Sequence, residues 1–176
     1  MRDSVFDRLG RARVQDVLVP GYVDRDGKRP VFRPFPASVF LELADGFVEL
    51  VTVPDEGRMT VRFVAEPCIP EALLDEEEEF ALDSRGLDVL TDAHSSLRVT
   101  RIRGVVPADS STGAGEPDTA YECLEFRFED GWYLFADPGY PLGIRIGGEG
   151  AYDRLLELNA GRPTALEPGT PFVWTP

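Results

Sequence analysis

The fold is decided by Ser38–Val64, which reads SVFLELADGFVELVTVPDEGRMTVRFV. Apolar and polar residues alternate through this stretch, as they do in strands that bury one face. Asp45-Gly46 is a dipeptide typical of two-residue type I′ turns, and Pro54–Arg58 has the composition of a second turn. The stretch therefore predicts three antiparallel strands in a meander. The predicted core-side pairs are Leu43 with Val48 and Leu41 with Leu50.

A second meander is predicted around Asp130-Gly131, where the same turn dipeptide recurs. Pro138–Pro141 predicts its second turn and residues 142–146 its third strand. In the register of the first hairpin, the pairs are Phe128 with Tyr133 and Phe126 with Phe135, and Arg145 takes the position that Arg62 has in the first meander. The recurrence raises the hypothesis of an internal duplication. Chance repetition is favoured over it, because Asp-Gly hairpins are common in β-rich chains.

Helices and further strands are predicted around the two meanders. Apolar periodicity predicts helices over Asp3–Leu9, Pro70–Leu82 and Ala151–Asn159. Strands are predicted from Val14 to Val19, ended by Pro20 and Gly21, and over Leu97–Val106. Residues 107–120 predict a mobile loop, and residues 162–176 an extended Pro-rich tail pinned by Phe172 and Trp174. We expect one α+β domain over residues 1–176, built mainly of antiparallel sheet.

Composition excludes several classes of function. The 176 residues include 32 acidic and 18 basic side chains, a formal net charge of −14, which opposes binding to nucleic acid and to anionic membranes. No apolar run approaches the roughly 18 residues that cross a bilayer, and the N-terminus lacks a signal-peptide core, so we expect a cytoplasmic protein. Cys68 and Cys123 match neither a disulfide framework nor a metal site, and we expect two reduced thiols on buried strands.

The sequence predicts no catalytic residue, no metal ligand and no cofactor. His94 is the one histidine, and no nucleophile motif accompanies it. Asp24, Asp26 and Gly27 resemble the middle of a calcium-binding loop, but Arg33 stands where that loop needs a glutamate. The glycines of 147–150 lack the spacing of a nucleotide-binding loop. A protein that presents a binding surface is therefore favoured over an enzyme.

Two features predict a surface for a protein partner. Glu76, Glu77, Glu78 and Glu79 fill a whole turn of the predicted helix with negative charge, which could occupy a basic cleft; the alternative is an ordinary solvated face. Trp132 and Tyr140 flank a predicted strand, and such aromatic side chains often dominate interfaces. Their alternative role is packing in the core or against the tail.

A pocket is the alternative functional site. In the predicted register Glu42 stands opposite Glu49, and opposed carboxylates destabilise a sheet unless arginine bridges them or chemistry uses them. Arg62 is the natural bridge, and Arg145 is its counterpart in the second meander. These four charges could serve a small-ligand-binding protein or an enzyme with a pocket between sheet and helices.

The favoured hypothesis is an acidic protein-binding module that neutralises a basic partner. In size and charge alone the chain resembles the toxin-neutralising immunity proteins of bacteria, and that resemblance implies a basic protein target. A third hypothesis is a homo-oligomer that pairs through an exposed sheet edge. The position of the four charges discriminates between the first two, since a pocket favours a ligand and an outer face favours a partner.

Overall fold

The structure, a computed structural model, describes residues 4–69, 79–86, 96–140, 143–160 and 169–176. These residues form an α+β fold that is mostly antiparallel sheet, as the sequence predicts. Two helices are described, α1 (Val5–Arg11) and α2 (Ala151–Ala160). His94 and residues 70–78 of the predicted helix Pro70–Leu82 lie outside the described residues.

The strands form two sheets. Sheet 1 contains β1 (Asp16–Asp24), β2 (Val31–Pro34), β3 (Ser38–Leu43), β4 (Gly46–Val53), β5 (Arg58–Val64), β6 (Glu79–Ser84) and β8 (Ala120–Tyr121). Its order is β2-β1-β3-β4-β5-β8, and β6 also pairs with β1. Sheet 2 contains β7 (Val99–Val106), β9 (Cys123–Phe128), β10 (Tyr133–Tyr140), β11 (Gly143–Gly147) and β12 (Thr170–Trp174). Its order is β11-β10-β9-β7-β12.

The two sheets pack face to face around one hydrophobic core. Leu41 and Leu50 of sheet 1 share a single buried cluster with Ile102, Phe126 and Leu134 of sheet 2. The first meander is β3-β4-β5 and the second is β9-β10-β11, so each sheet contains one of them. Because each sheet has a core side and an outer side, alternate residues of every strand point away from this core.

The first hairpin turns one residue earlier than predicted. Its loop is Ala44-Asp45, and Gly46 already belongs to β4, opposite Leu43. A side chain at Gly46 would lie 2.6 Å from the Phe63 ring, so this glycine permits close approach of β5. The observed core-side pairs are Leu41 with Val48 and Val39 with Leu50. A shift of two residues keeps the predicted residues on the core side.

The second hairpin has a three-residue loop, and the predicted pairing there is wrong by one residue. Residues Glu129–Gly131 form a 3-10 turn in which Asp130 and Gly131 have φ of 65° and 83°. Leu134 pairs with Phe126, and Phe135 with Glu125. A shift of one residue reverses the facing of β10. Phe135 therefore points away from the core between the sheets and is buried on the other side of sheet 2, against Tyr152 of α2. The two hairpins therefore do not share the register on which the predicted duplication depends.

Three predicted boundaries are wrong because neighbouring strands determine them. Strand β1 continues through Pro20 and Gly21, since its partner changes there from β3 to β2, and the Pro20 carbonyl accepts the Phe35 N–H at 2.8 Å. Strand β10 continues through Pro138 as a bulge instead of turning there. Residues 79–82, predicted as the end of the helix Pro70–Leu82, belong instead to β6 (Glu79–Ser84), because they pair with the free edge of β1.

The two helices and the strand of the C-terminal tail lie where the sequence predicts ordered structure, but they differ from the prediction in detail. Helix α1 is capped by Ser4, in a capping box with Asp7, and ends at Arg11. In α2, Tyr152 is buried, whereas Leu156 and Leu158, predicted to be buried, are exposed. Residues 170–174 of the predicted tail form β12, with Phe172 and Trp174 against the Phe6 ring. Cys123 is buried in β9, whereas Cys68 is exposed and follows β5, contrary to the predicted burial of both thiols.

Gly143 joins the second meander to sheet 1. Its φ is +119°, a Cβ there would lie 2.3 Å from the Pro36 carbonyl oxygen, and the N–H of Ile144 donates to that oxygen at 2.7 Å. We expect Gly143→Ala to lower the free energy of unfolding by about 1 to 3 kcal/mol, because it adds both strain and a clash. Urea unfolding measures this. Gly148→Ala is the control, since nothing lies within 4 Å of its Cβ position, and an equal loss there would contradict the assignment.

Candidate functional site

The predicted bridge between Glu49 and Arg62 is present, on the outer side of sheet 1. The two residues are direct cross-strand partners in β4 and β5, and Arg62 Nε donates to Glu49 Oε2 at 2.6 Å. The Glu49 side chain is only 3% exposed, so the guanidinium neutralises a buried carboxylate. The hydrogen bond to Glu49 in turn raises the pKa of Arg62.

Glu42 does not face Glu49. It pairs with Phe47 on β4 and with Asp16 on β1, because the first hairpin has the shifted register. Glu49 instead stands opposite Phe40. The predicted facing of two carboxylates is therefore wrong, although both belong to the outer side of sheet 1.

Arg145 belongs to a corresponding pair on the outer side of sheet 2. Its Nη2 donates to Asp137 Oδ2 at 2.7 Å across β10 and β11, and Asp137 Oδ1 accepts the Gly139 N–H at 3.0 Å. The Asp137 side chain is almost fully buried. The four charges of the predicted pocket are thus divided between the outer sides of two sheets, and they form no common pocket.

Among the described residues, the most deeply buried carboxylate is Glu125, which the sequence argument did not single out. It accepts hydrogen bonds from Arg103 Nε at 2.6 Å and from Arg103 Nη2 at 3.1 Å. The same guanidinium donates to both carboxylate oxygens of Asp153 on α2, each at 3.0 Å, and lies 4.2 Å from the centre of the Tyr152 ring. These contacts raise the pKa of Arg103 and hold α2 against sheet 2.

Exposed carboxylates occur in the β4–β5 turn and in the segment between β7 and β8, which an ion pair of Arg58 joins. We define the acidic end as Asp55, Glu56, Asp109, Glu116, Asp118 and Glu122; all are exposed except Glu122, which is half-buried. Arg58 joins the two segments, with Nη1 at 3.8 Å from Glu56 and Nη2 at 2.9 Å from Asp109. Of the six carboxylates of the acidic end, Glu56 and Asp109 form ion pairs with Arg58.

The segment that carries half of the acidic end is anchored. The sequence predicts a mobile loop over residues 107–120, but the structure gives it specific hydrogen bonds. The Gly115 N–H donates to the Tyr121 hydroxyl at 2.8 Å, and Thr119 Oγ1 donates to the Gly113 carbonyl at 2.8 Å. A Cβ at Gly115 would lie 3.0 Å from the Phe6 ring, so the segment also packs on α1. The sequence signal for this site was the density of acids in the two loops.

Glu122 is the half-buried carboxylate of the acidic end. Burial raises its pKa, Arg58 acts in the opposite direction, and Asp109 adds to the increase. The next residue, Cys123, shows a similar effect, since burial and the nearby Asp137 raise the pKa of its thiol to about 12. An inert thiol and a carboxyl that resists ionisation are poor nucleophiles at neutral pH.

Of the residues predicted to contact a partner, Glu79 and Trp132 are described with their side chains, and these two lie apart. Glu79 is exposed at the start of β6, opposite Val23, and pairs with Arg25. Glu76, Glu77 and Glu78 lie outside the described residues. Trp132 is 37% exposed. Trp132 follows the turn in which Glu129 contacts Arg13, a residue that precedes β1. Glu79 instead lies opposite Val23, near the end of β1. The two side chains are therefore separated by roughly 20 Å, the length of β1 between these points.

Tyr140 is the last residue of β10, and its side chain is not among the described ones. Among the described residues, none of the groupings of His, Cys, Asp and Glu could hold a metal ion. No helix in the described part of the chain is both long and apolar enough to span a bilayer.

A cleft lies elsewhere, between the two sheets. Its volume is about 380 Å³, and it is bounded by Val19, Pro36 and Arg85 from the sheet 1 side and by Tyr133, Ile144 and Ile146 from sheet 2. None of the four predicted pocket charges lines it. The described residues thus contain two candidate sites, the acidic end and this cleft.

Stability should depend on pH through Glu122. A carboxyl whose folded-state pKa is raised costs native stability as pH rises from its ordinary value, 4.5, through the raised value. We therefore expect Glu122→Gln to be more stable than the unsubstituted protein at pH 7, with a gain that vanishes below about pH 4.5. Thermal unfolding across this range measures it. Exposed Glu149→Gln is the control, and an equal gain for both variants would contradict the burial argument.

Searches of protein-family models, of curated proteins and of solved structures found no match to this chain.

Proposed function

We propose that this chain is a non-enzymatic module that binds a basic protein through the acidic end. The observation that carries the proposal is that Arg58 pairs with Glu56 of the β4–β5 turn and with Asp109 of the segment between β7 and β8, two segments that together contain five exposed carboxylates. Like charges held together repel one another, and a partner rich in Lys and Arg would relieve that repulsion on binding.

The arginines of the chain support a surface-binding role as well. At least ten of them make ion pairs with carboxylates, among them Arg62, Arg103 and Arg145 on the outer sides of the sheets. Side chains engaged in structural pairs are poor candidates for catalysis. The excess of acids is left for the surface, which favours a basic protein target over nucleic acid or an anionic membrane.

The proposal extends to the cellular compartment of the protein and to its oligomeric state. We place the protein in the cytoplasm, a proposal supported by the free thiols of Cys68 and Cys123, since reducing compartments keep cysteines unpaired. Pairing through the edge strand β12 is disfavoured, because Pro171 has no N–H to donate. A monomer that neutralises a basic partner, as bacterial immunity proteins do, therefore suits the chain better than a homo-oligomer.

Comparative affinity capture tests the proposal. The acidic-end variant carries Asp55→Asn, Glu56→Gln, Asp109→Asn, Glu116→Gln and Asp118→Asn. The matched control changes five other exposed acids, Asp26, Glu66, Asp130, Glu149 and Glu157, to their amides. A third variant changes Glu76–Glu79 to glutamine. Each tagged protein is incubated with lysate of its native cell, and bound proteins are quantified by mass spectrometry at rising salt.

We expect a basic protein at a stoichiometric level on the unsubstituted chain and on the matched control, and at least tenfold less on the acidic-end variant. Its release should begin as salt shortens the Debye length from about 10 Å at 0.1 M to about 3 Å at 1 M. Equal recovery by the acidic-end variant, loss only in the Glu76–Glu79 variant, or capture of no protein at all would each overturn the proposal.

A further inference from the structure

The cleft between the sheets has the size and the walls of a small-molecule site. Its volume of about 380 Å³ falls within the range of ligand pockets, which begins at about 300 Å³. Val19, Ile144 and Ile146 are β-branched, and Pro36 is cyclic, so the side chains of the wall have few rotamers to lose when a ligand binds. Such a preformed apolar surface favours a rigid apolar ligand.

The cleft is held open by a backbone contact between the sheets. The Ile144 N–H donates to the Pro36 carbonyl at 2.7 Å, which fixes two of the walls relative to each other. Gly148 also lines the cleft, and nothing lies within 4 Å of the position of its Cβ, so space remains beside the backbone there. The cavity is therefore a feature of the sheet packing and does not depend on one adaptable side chain.

Arg85 supplies the charge of this site. It is the charged residue among the described ones that line the cleft, and its Nε lies 2.9 Å from Asp83 Oδ2, a contact that orients the guanidinium. A guanidinium presents a planar set of donors that matches a carboxylate or sulfonate. Tyr133 also lines the cleft. Because the net charge of −14 opposes the entry of anions, apolar contact must supply most of the affinity.

We propose that the cleft binds a small organic acid, with its aromatic or branched aliphatic body between the sheets and its anionic group on Arg85. The site shares no described residue with the acidic end, so ligand binding in the cleft and protein binding at the acidic end can be tested separately. It differs from the predicted pocket in both position and residues, since Glu42, Glu49, Arg62 and Arg145 lie outside it.

Two fluorescent probes with the same apolar body test the inference. They are 8-anilinonaphthalene-1-sulfonate, which is anionic, and N-phenyl-1-naphthylamine, which lacks the sulfonate. We expect the sulfonate probe to bind the folded protein at one site. Arg85→Gln should weaken it about tenfold or more while changing the neutral probe less than twofold, because only the charge-assisted contact is lost. Gly148→Trp should weaken both probes, because the new side chain fills the cleft.

Arg98→Gln is the matched control, because it removes the same charge from an exposed residue that does not line the cleft. Circular dichroism verifies that each variant is folded, since partly unfolded protein also binds these dyes. The inference is overturned if Arg85→Gln affects both probes equally or neither, if Arg98→Gln weakens the sulfonate probe as much, or if Gly148→Trp leaves both titrations unchanged. Binding of several dyes per chain would also overturn it.

Discussion

The architecture depends on pairing each carboxylate that is buried on the outer side of a sheet with an arginine. Glu125, Glu49 and Asp137 are all removed from water, and a lone buried carboxylate is too costly for a domain of this size to hold. Breaking such a pair typically costs about 3 to 5 kcal/mol, a large part of the stability of a whole domain. Arg103 has a second role, since it also binds Asp153 and thereby holds α2 on sheet 2.

This constraint divides the arginines into those that pair with buried carboxylates and those that pair with surface acids. Arg62, Arg103 and Arg145 belong to the first group. Arg8 and Arg25 belong to the second, with the exposed Asp45 and Glu79. The remaining acids accumulate where loops permit it, at the β4–β5 turn and in the segment between β7 and β8. Arg58 joins these two loops through its ion pairs with Glu56 and Asp109.

Local patterning predicted the strands and their meanders, but long-range contacts determined the details. Alternation in 38–64 identifies three strands, and the core side of the first hairpin is right although its register is shifted by two residues. The predicted register of the second hairpin is wrong by one residue, so Phe135 packs against α2 and not between the sheets. A turn dipeptide cannot show whether its glycine makes the turn or, as Gly46 does, admits a neighbouring strand.

The candidate sites were harder to predict because their residues are distant in sequence. The bridge from Glu49 to Arg62 spans one hairpin and was predictable, whereas Arg58 meets Asp109 across 51 residues and Arg103 meets Asp153 across 50. The cleft joins strands from both sheets, so no single segment reveals it. Helix periodicity over Pro70–Leu82 was misleading for residues 79–82, because pairing with the free edge of β1 makes these residues part of a strand.

Hydrogen–deuterium exchange with and without the captured partner tests the central claim most directly, since it locates the contact without altering any charge. The account predicts slower exchange at residues 54–58 and 107–119, the two segments of the acidic end. Unchanged exchange there, with protection instead around Trp132 or over residues 76–79, would contradict it.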